Sequence, residues 1–172
     1  MTTVVGCLGT DGEGRDMTAL ISKAKGLEAE GITTFVYEGS YRLPVKTVTD
    51  SIIKDFLTID KIIGIGEIAV SDHRSSQPTF EEFARATADA RVGGMLSGKA
   101  GIVNVHLGGG TRKLELLKKV VEETEIPISQ FLPTHANRTQ ELLDACIEFA
   151  KNGGTIDFTC LLYTSDAADD LI

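Results

Sequence analysis

The sequence predicts an α/β fold in which parallel strands alternate with crossover helices, arranged as most of an eight-unit barrel. Three observations point there. Strand-length apolar runs alternate with helix-periodic stretches from start to end, recurring roughly every 30 residues, the size of one β-α step. No GxGxxG opens the first helix, which disfavours a dinucleotide-binding sheet. Chemically capable side chains follow several strands instead of clustering at one switch point, which suits a barrel whose sites collect residues from many strand ends. Only six strand units can be read, so either the fold is open or the chain is incomplete.

The elements follow in order. Residues 4–8 form the first strand. Residues 17–30 form a helix, with Leu20, Ile21, Ala24 and Leu27 at helical spacing and Gly31 as its stop. Residues 33–37 are the second strand, and residues 49–59 a shorter helix around Ile52, Ile53, Phe56 and Leu57. The third strand is IIGIGEIA at 62–69. A helix over 79–96 is opened by Pro78 and Thr79 and by the acids Glu81 and Glu82, which favour a helix N-terminus. The fourth strand is IVNVH at 102–106, followed by a helix over 112–123. The fifth is QFLPTH at 130–135, followed by a helix over 140–152 that stops at Gly153 and Gly154. TIDFT at 155–159 is the sixth.

Bulk properties exclude several classes. The 172 residues suffice for one domain with a real core, and 42% hydrophobic with 24% charged residues is ordinary for a globular protein. A formal net charge of −8 without a basic run argues against nucleic acid and against an anionic membrane surface. No apolar stretch approaches the ~20 residues that span a bilayer, and the N-terminus lacks the charged region of a signal peptide. Cys7, Cys146 and Cys160 are widely spaced without a CxxC, which suggests a reducing, cytoplasmic setting. Cys7 and Cys146 read as buried small hydrophobes. Residues 160–172 (CLLYTSDAADDLI) break the rhythm. They read either as an acidic tail or as a non-native extension resembling a translated sequencing-library adapter, the latter leaving residues 1–159 as the domain.

Glu67, His106 and His135 each lie at or just inside the C-terminal end of a predicted strand. Parallel strands place those ends on one face, and two imidazoles with a carboxylate are a ligand set of catalytic zinc sites. Each residue has a plainer alternative: a backbone-bonded strand-end histidine for His106 and His135, and a buried ion pair with Arg74 for Glu67. Arg74 and Arg138 follow strand ends on the same face and are suited to clamp substrate carboxylates, if they are not simply solvated. Tyr41 is placed to donate to a developing oxyanion, or else packs a loop. Thr10, in GTDG, either contacts substrate or shapes a turn. His73 orders the loop after the third strand rather than ligating. The glycines 108–110 are weak as a phosphate cradle, because no Gly-Lys-Ser/Thr follows.

Seven segments carry a closer resemblance: GTDG at 9–12, YEGSY at 37–41, GEIAVSDHRSSQP at 66–78, RVGGMLSGKAG at 91–101, VNVHLG at 103–108, FLPTHANR at 131–138 and GGTID at 153–157. In order and spacing they resemble the isoaspartyl dipeptidases, binuclear zinc peptidases of the amidohydrolase superfamily. The resemblance implies an incomplete TIM-like (β/α)8 barrel, about strands two to seven. It makes Glu67 the bridging ligand of two Zn2+ ions, His106 and His135 the histidines of one metal, Tyr41 the carbonyl-polarising tyrosine, and Thr10, Arg74 and Arg138 substrate-binding residues. The implied reaction is attack by a metal-held hydroxide on the scissile carbonyl of a β-aspartyl dipeptide, in a protein that forms homo-oligomers. The family's HxH pair and its proton-shuttling aspartate have no match here, so the chain alone is expected to be inactive. A cyclic-amide or lactone hydrolase of the same superfamily and a non-enzymatic α/β domain are the rival readings.

Overall fold

A computed structural model describes residues 2–160 of the chain. Among them five strands form one sheet in sequence order, β1 (Thr3–Gly6), β2 (Thr33–Glu38), β3 (Ile62–Val70), β4 (Ile102–Leu107) and β5 (Phe131–Thr134), every neighbouring pair parallel. The crossover helices are α1 (Met17–Ala29), α2 (Ile52–Thr58), α3 (Phe80–Ser97) and α4 (Glu115–Glu123), and α5 (Gln140–Lys151) follows β5. Sequential parallel strands joined by helices are the construction of a barrel wall, and the sheet is a curled half-barrel.

Helix boundaries follow local capping chemistry. The Asp16 carboxylate accepts from Ala19 N at the start of α1, and Ser51 Oγ accepts from Lys54 N at the start of α2. Thr79 and Glu82 form a reciprocal capping box on α3, which ends at left-handed Gly98. Helix α4 begins three residues later than the sequence suggests. Lys113 takes a left-handed φ of 47°, and its N–H donates 2.8 Å to Ser71 Oγ, so the chain is tied to the loop after β3 before it can coil.

Burial separates the two faces and the two ends of the sheet. Strands β3 and β4 are buried almost throughout, as expected for central parallel strands covered on one side by helices. On β2 the alternating residues Thr34, Val36 and Glu38 are buried, and Thr34 Oγ1 donates 2.9 Å to Ala24 O of α1, so this set faces the helices. Tyr37, on the other set, faces the concave side. The helix-side core gathers Phe56, Phe83, Phe131 and Phe149, each at most 1% exposed, with Phe83 and Phe131 stacked at 5.7 Å.

Two sequence expectations are corrected here. Residues 155–159 are not a sixth strand. Asp157 N donates 2.9 Å to Pro133 O and Asp157 O accepts from Ala136 N at 3.1 Å, but the ladder goes no further. Instead, Asn137 takes both backbone groups of Thr159 with its side-chain amide. Cys146 is buried as expected, whereas Cys7 is exposed: it follows the half-exposed strand β1 on the concave side. The expected non-native extension falls, beyond Cys160, outside the described residues.

Candidate metal centre

Convergence of Glu67, His106 and His135 begins with a fault in β3. The register advances three residues on β3, from Ile65 to Ile68, while β4 advances two, from Val103 to Val105. Such a bulge re-aims a side chain. Gly66 makes it possible: its φ is 134°, and a Cβ there would sit 2.4 Å from Asn104 O. Glu67 thereby presents its carboxylate to the concave face. His106 stands on the neighbouring strand, paired in register with Ala69. His135 lies one residue beyond β5 with a left-handed φ of 67°, a conformation uncommon for a residue with a side chain.

The three side chains form a compact cluster. His135 Nε2 lies 3.0 Å, and His106 Nδ1 3.5 Å, from Glu67 Oε1. One ligand atom from each residue lies within 4.8 Å of the others. The imidazoles meet edge to face at 4.6 Å between centroids. The Nδ1 of His135 is held by Thr159 Oγ1. Burial disfavours ionisation of Glu67, but hydrogen bonding and charge from His106 and His135 outweigh it, and the carboxyl falls to about 2. The site therefore holds a carboxylate beside two imidazoles, a donor set that fits a divalent transition metal better than a hard oxygen-seeking cation.

Tyr41 closes one side of the cluster. It is 4% exposed although it lies outside any helix or strand. Its backbone bridges the strand ends: Tyr41 N donates to Gly9 O and Ala69 N donates to Tyr41 O, both at 3.0 Å. Its hydroxyl lies 2.8 Å from His106 Nδ1.

Arg74, the alternative ion-pair partner for Glu67 in the sequence reading, closes on Asp72 instead. Its Nε and Nη2 donate to Asp72 Oδ1 and Oδ2 at 3.1 and 3.0 Å, and its backbone N donates to Oδ1 at 2.7 Å. Asp72 Oδ2 also lies 3.0 Å from His106 Nε2. Burial opposes ionisation of Asp72, yet Arg74 and His106 hold its carboxyl well below the ordinary range. Asp72 is the site residue that sequence reasoning missed. The signal was present as an Asp-x-Arg step after a strand, where backbone and guanidinium can both reach the carboxylate.

The remaining expected residues stand further out. Thr10 lies on an exposed turn after β1, its carbonyl accepting from Gly12 N at 3.3 Å. Arg138 is partly buried in the turn after β5, its N–H donating 3.1 Å to His135 O. His73 is exposed and borders Asp72 at 3.7 Å. The glycine loop after β4 packs on the loop after β3, with Gly110 N donating 2.8 Å to Ser71 O.

Parallel strands bearing a carboxylate and two histidines at their C-terminal ends define a segment of a (β/α) barrel with a candidate metal centre. A scan against models of protein families finds no match, but solved structures make the assignment specific. The chain is 59% identical, with a TM-score of 0.92, to the β-aspartyl dipeptidase of the thermophilic keratin degrader Fervidobacterium islandicum AW-1, over 95% of this chain and 45% of that one. A second structure of that organism's β-aspartyl dipeptidase, in complex with the β-Asp-Leu dipeptide, is 55% identical at a TM-score of 0.92, over 98% of this chain and 48% of that one. A phosphotriesterase homology protein from Escherichia coli is 18% identical at a TM-score of 0.63 and shares the fold. Over nearly its whole length the chain is thus similar in sequence and fold to β-aspartyl (isoaspartyl) dipeptidase, and it spans a little under half the length of those relatives.

Proposed function

We propose that the protein to which this segment belongs is a zinc-dependent β-aspartyl dipeptidase, which hydrolyses the isopeptide-like bond of β-aspartyl dipeptides. One observation carries the reading: Glu67, His106 and His135, read from the sequence as ligands, meet within 4.8 Å on the concave face. The β-Asp-Leu dipeptide bound by a relative 55% identical to this chain supports the substrate class.

In this reading Glu67, His106 and His135 would hold zinc, Glu67 as the carboxylate common to a two-ion site and the two histidines as ligands of one ion. Bound zinc supplies Lewis acidity and activates water. The chain's own residues bind and orient. The Tyr41 hydroxyl, now 2.8 Å from His106 Nδ1, turns to the scissile carbonyl and donates to the oxygen on which charge develops. Arg74 and Arg138 take the two substrate carboxylates, and Thr10 contributes at the rim after β1. Fixing both ends of a small dipeptide removes orientational freedom before the chemical step. The ligands missing from the trio, and the proton-shuttling aspartate, belong to parts of the barrel outside this segment. No helix among the described residues is long and apolar enough to cross a membrane, and three free thiols support a reducing, cytoplasmic setting. Homo-oligomer formation is proposed for the full-length protein on the family resemblance.

The test compares β-Asp-Leu with a cyclic amide and a lactone as substrates for a version extended to the length of its relatives and loaded with zinc. Turnover selective for β-Asp-Leu is expected, with the 172-residue chain giving little or none. Preference for the cyclic amide or lactone would move the protein to another amidohydrolase reaction. Absence of both turnover and zinc uptake would leave a non-enzymatic α/β domain.

A further inference from the structure

Asp72 stands outside the ligand trio, yet it touches two of the site's working groups at once. Its side chain is 3% exposed. Oδ1 accepts from Arg74 N at 2.7 Å and Arg74 Nε at 3.1 Å, and has the exposed His73 Nδ1 at 3.7 Å. Oδ2 accepts from Arg74 Nη2 at 3.0 Å and faces His106 Nε2 at 3.0 Å. Its carbonyl accepts from Gln77 Nε2 at 2.8 Å and Ser75 N at 3.2 Å. The residue is seated by the glycine loop: a Cβ on Gly108 would lie 2.4 Å from Asp72 Cβ and 2.5 Å from Ser71 O.

A metal-ligating imidazole keeps one ring proton, and two carboxylates face the His106 ring as its acceptors. Asp72 Oδ2 is 3.0 Å from Nε2, whereas Glu67 Oε1 is 3.5 Å from Nδ1. Neither oxygen can donate when ionised. The Tyr41 hydroxyl, 2.8 Å from Nδ1, can donate there. Arg74 Nη2 also lies 3.3 Å from Nε2, but it donates to Asp72 Oδ2 at the shorter 3.0 Å. The shorter carboxylate contact and the hydroxyl then place the ring proton on Nε2, leaving the Nδ1 lone pair on the side of Glu67.

We propose that Asp72 is a positioning residue that couples the metal ligand to the substrate clamp: it fixes His106 in the tautomer whose Nδ1 can bind metal, and with the same carboxylate it sets the plane of the Arg74 guanidinium. The inference rests on the proposed metal site. Arg74 Cζ then lies 5.4 Å from the centre of the Tyr41 ring, so clamp, tyrosine and ligand are fixed relative to one another. Outer carboxylates that orient ligating histidines typically change metal affinity by about 10–100-fold when removed.

Two measurements on the 172-residue chain test it. The ring-nitrogen shifts of His106, read by long-range 1H–15N correlation without metal at pH 8, report the tautomer. Cobalt(II) titration followed by its visible absorption reports affinity. The wild type is expected to show protonated Nε2 and bare Nδ1. Asp72→Ala loses that preference and weakens cobalt binding about 10–100-fold. Asp72→Asn keeps a carbonyl acceptor, so it retains the tautomer and stays within a few fold of wild-type affinity. Arg74→Ala leaves the tautomer unchanged. A folded Asp72→Ala with the wild-type tautomer and cobalt affinity would overturn the inference, as would Asp72→Asn losing the tautomer. A wild type that shows the Nε2 proton but binds no cobalt would defeat the metal-site reading, while tautomer loss in Asp72→Ala would still support the Asp72–His106 link.

Discussion

Two glutamates end up buried on opposite faces of the same sheet, and they hold opposite proton states. Glu67 faces the concave side of β3, where two histidines bring its carboxyl down to about 2. Glu38 ends β2 on the helix side, fully buried against Asp55 of α2. Burial first, then hydrogen bonding and the charge of Asp55, push Glu38 up to about 10. Neither Glu38 oxygen meets a donor among the described residues, which an ionised carboxylate could not bear. As a neutral acid it supplies the proton itself and donates to Asp55. Burial opposes ionisation of Asp55 too, but that bond and the backbone N–H groups of Val48 and Thr49 keep it ionised. One residue type thus serves as a permanent anion among imidazoles and as a neutral donor beside a second acid. The partner, not the burial, decides the charge.

The sharpest way to break this contrast is to make the two glutamates neutral isosteres. Glu67→Gln is expected to abolish most zinc uptake, because it removes the only carboxylate of the trio. Glu38→Gln is expected to leave uptake within about twofold, since Gln keeps the donor that a neutral acid offers. Equilibrium dialysis against zinc separates the two outcomes. A smaller effect belongs to the helix side. Asp55→Ala strips two backbone N–H groups and Glu38 of their acceptor, and is expected to cost about 3 kcal/mol in urea unfolding.

The pH dependence sharpens the same comparison. A carboxyl whose folded value is raised stabilises the fold fully below its unfolded value, and that stability is lost as pH rises towards the folded value. Glu38 therefore makes unfolding easier as pH climbs from the ordinary carboxylate range towards 10, and Glu38→Gln should flatten that part of the urea-midpoint profile. A profile of unchanged slope would show that Glu38 is already ionised. Smallest of all is Tyr41→Phe. Loss of one hydrogen bond to His106 is expected to cost about 1 kcal/mol of stability in this chain.

The concave face was more legible in sequence than the helix side, for a physical reason. An ionisable residue in an otherwise apolar strand stands out, and Glu67, His106 and His135 recur at equivalent points of the repeat. The five parallel strands and the helices between them likewise follow from local periodicity and capping. Glu38 was passed over because it sits where a strand runs into a glycine turn, and its proton state depends on a helix met only after folding. Asp72 was hidden behind the more conspicuous His73 and Arg74. The sixth strand failed because side-chain bonds from Asn137 took the backbone groups that a ladder needs. The exposure of Cys7 is a property of the concave face it borders, which the apolar run around it does not reveal.

X-ray absorption at the zinc edge of the zinc-loaded chain tests the central claim most directly. Nitrogen and oxygen neighbours at about 2.0–2.1 Å are expected, with outer-shell scattering from two imidazoles that falls to one in His135→Ala. A zinc environment without imidazole scattering, or one unchanged in His106→Ala and His135→Ala, would contradict it.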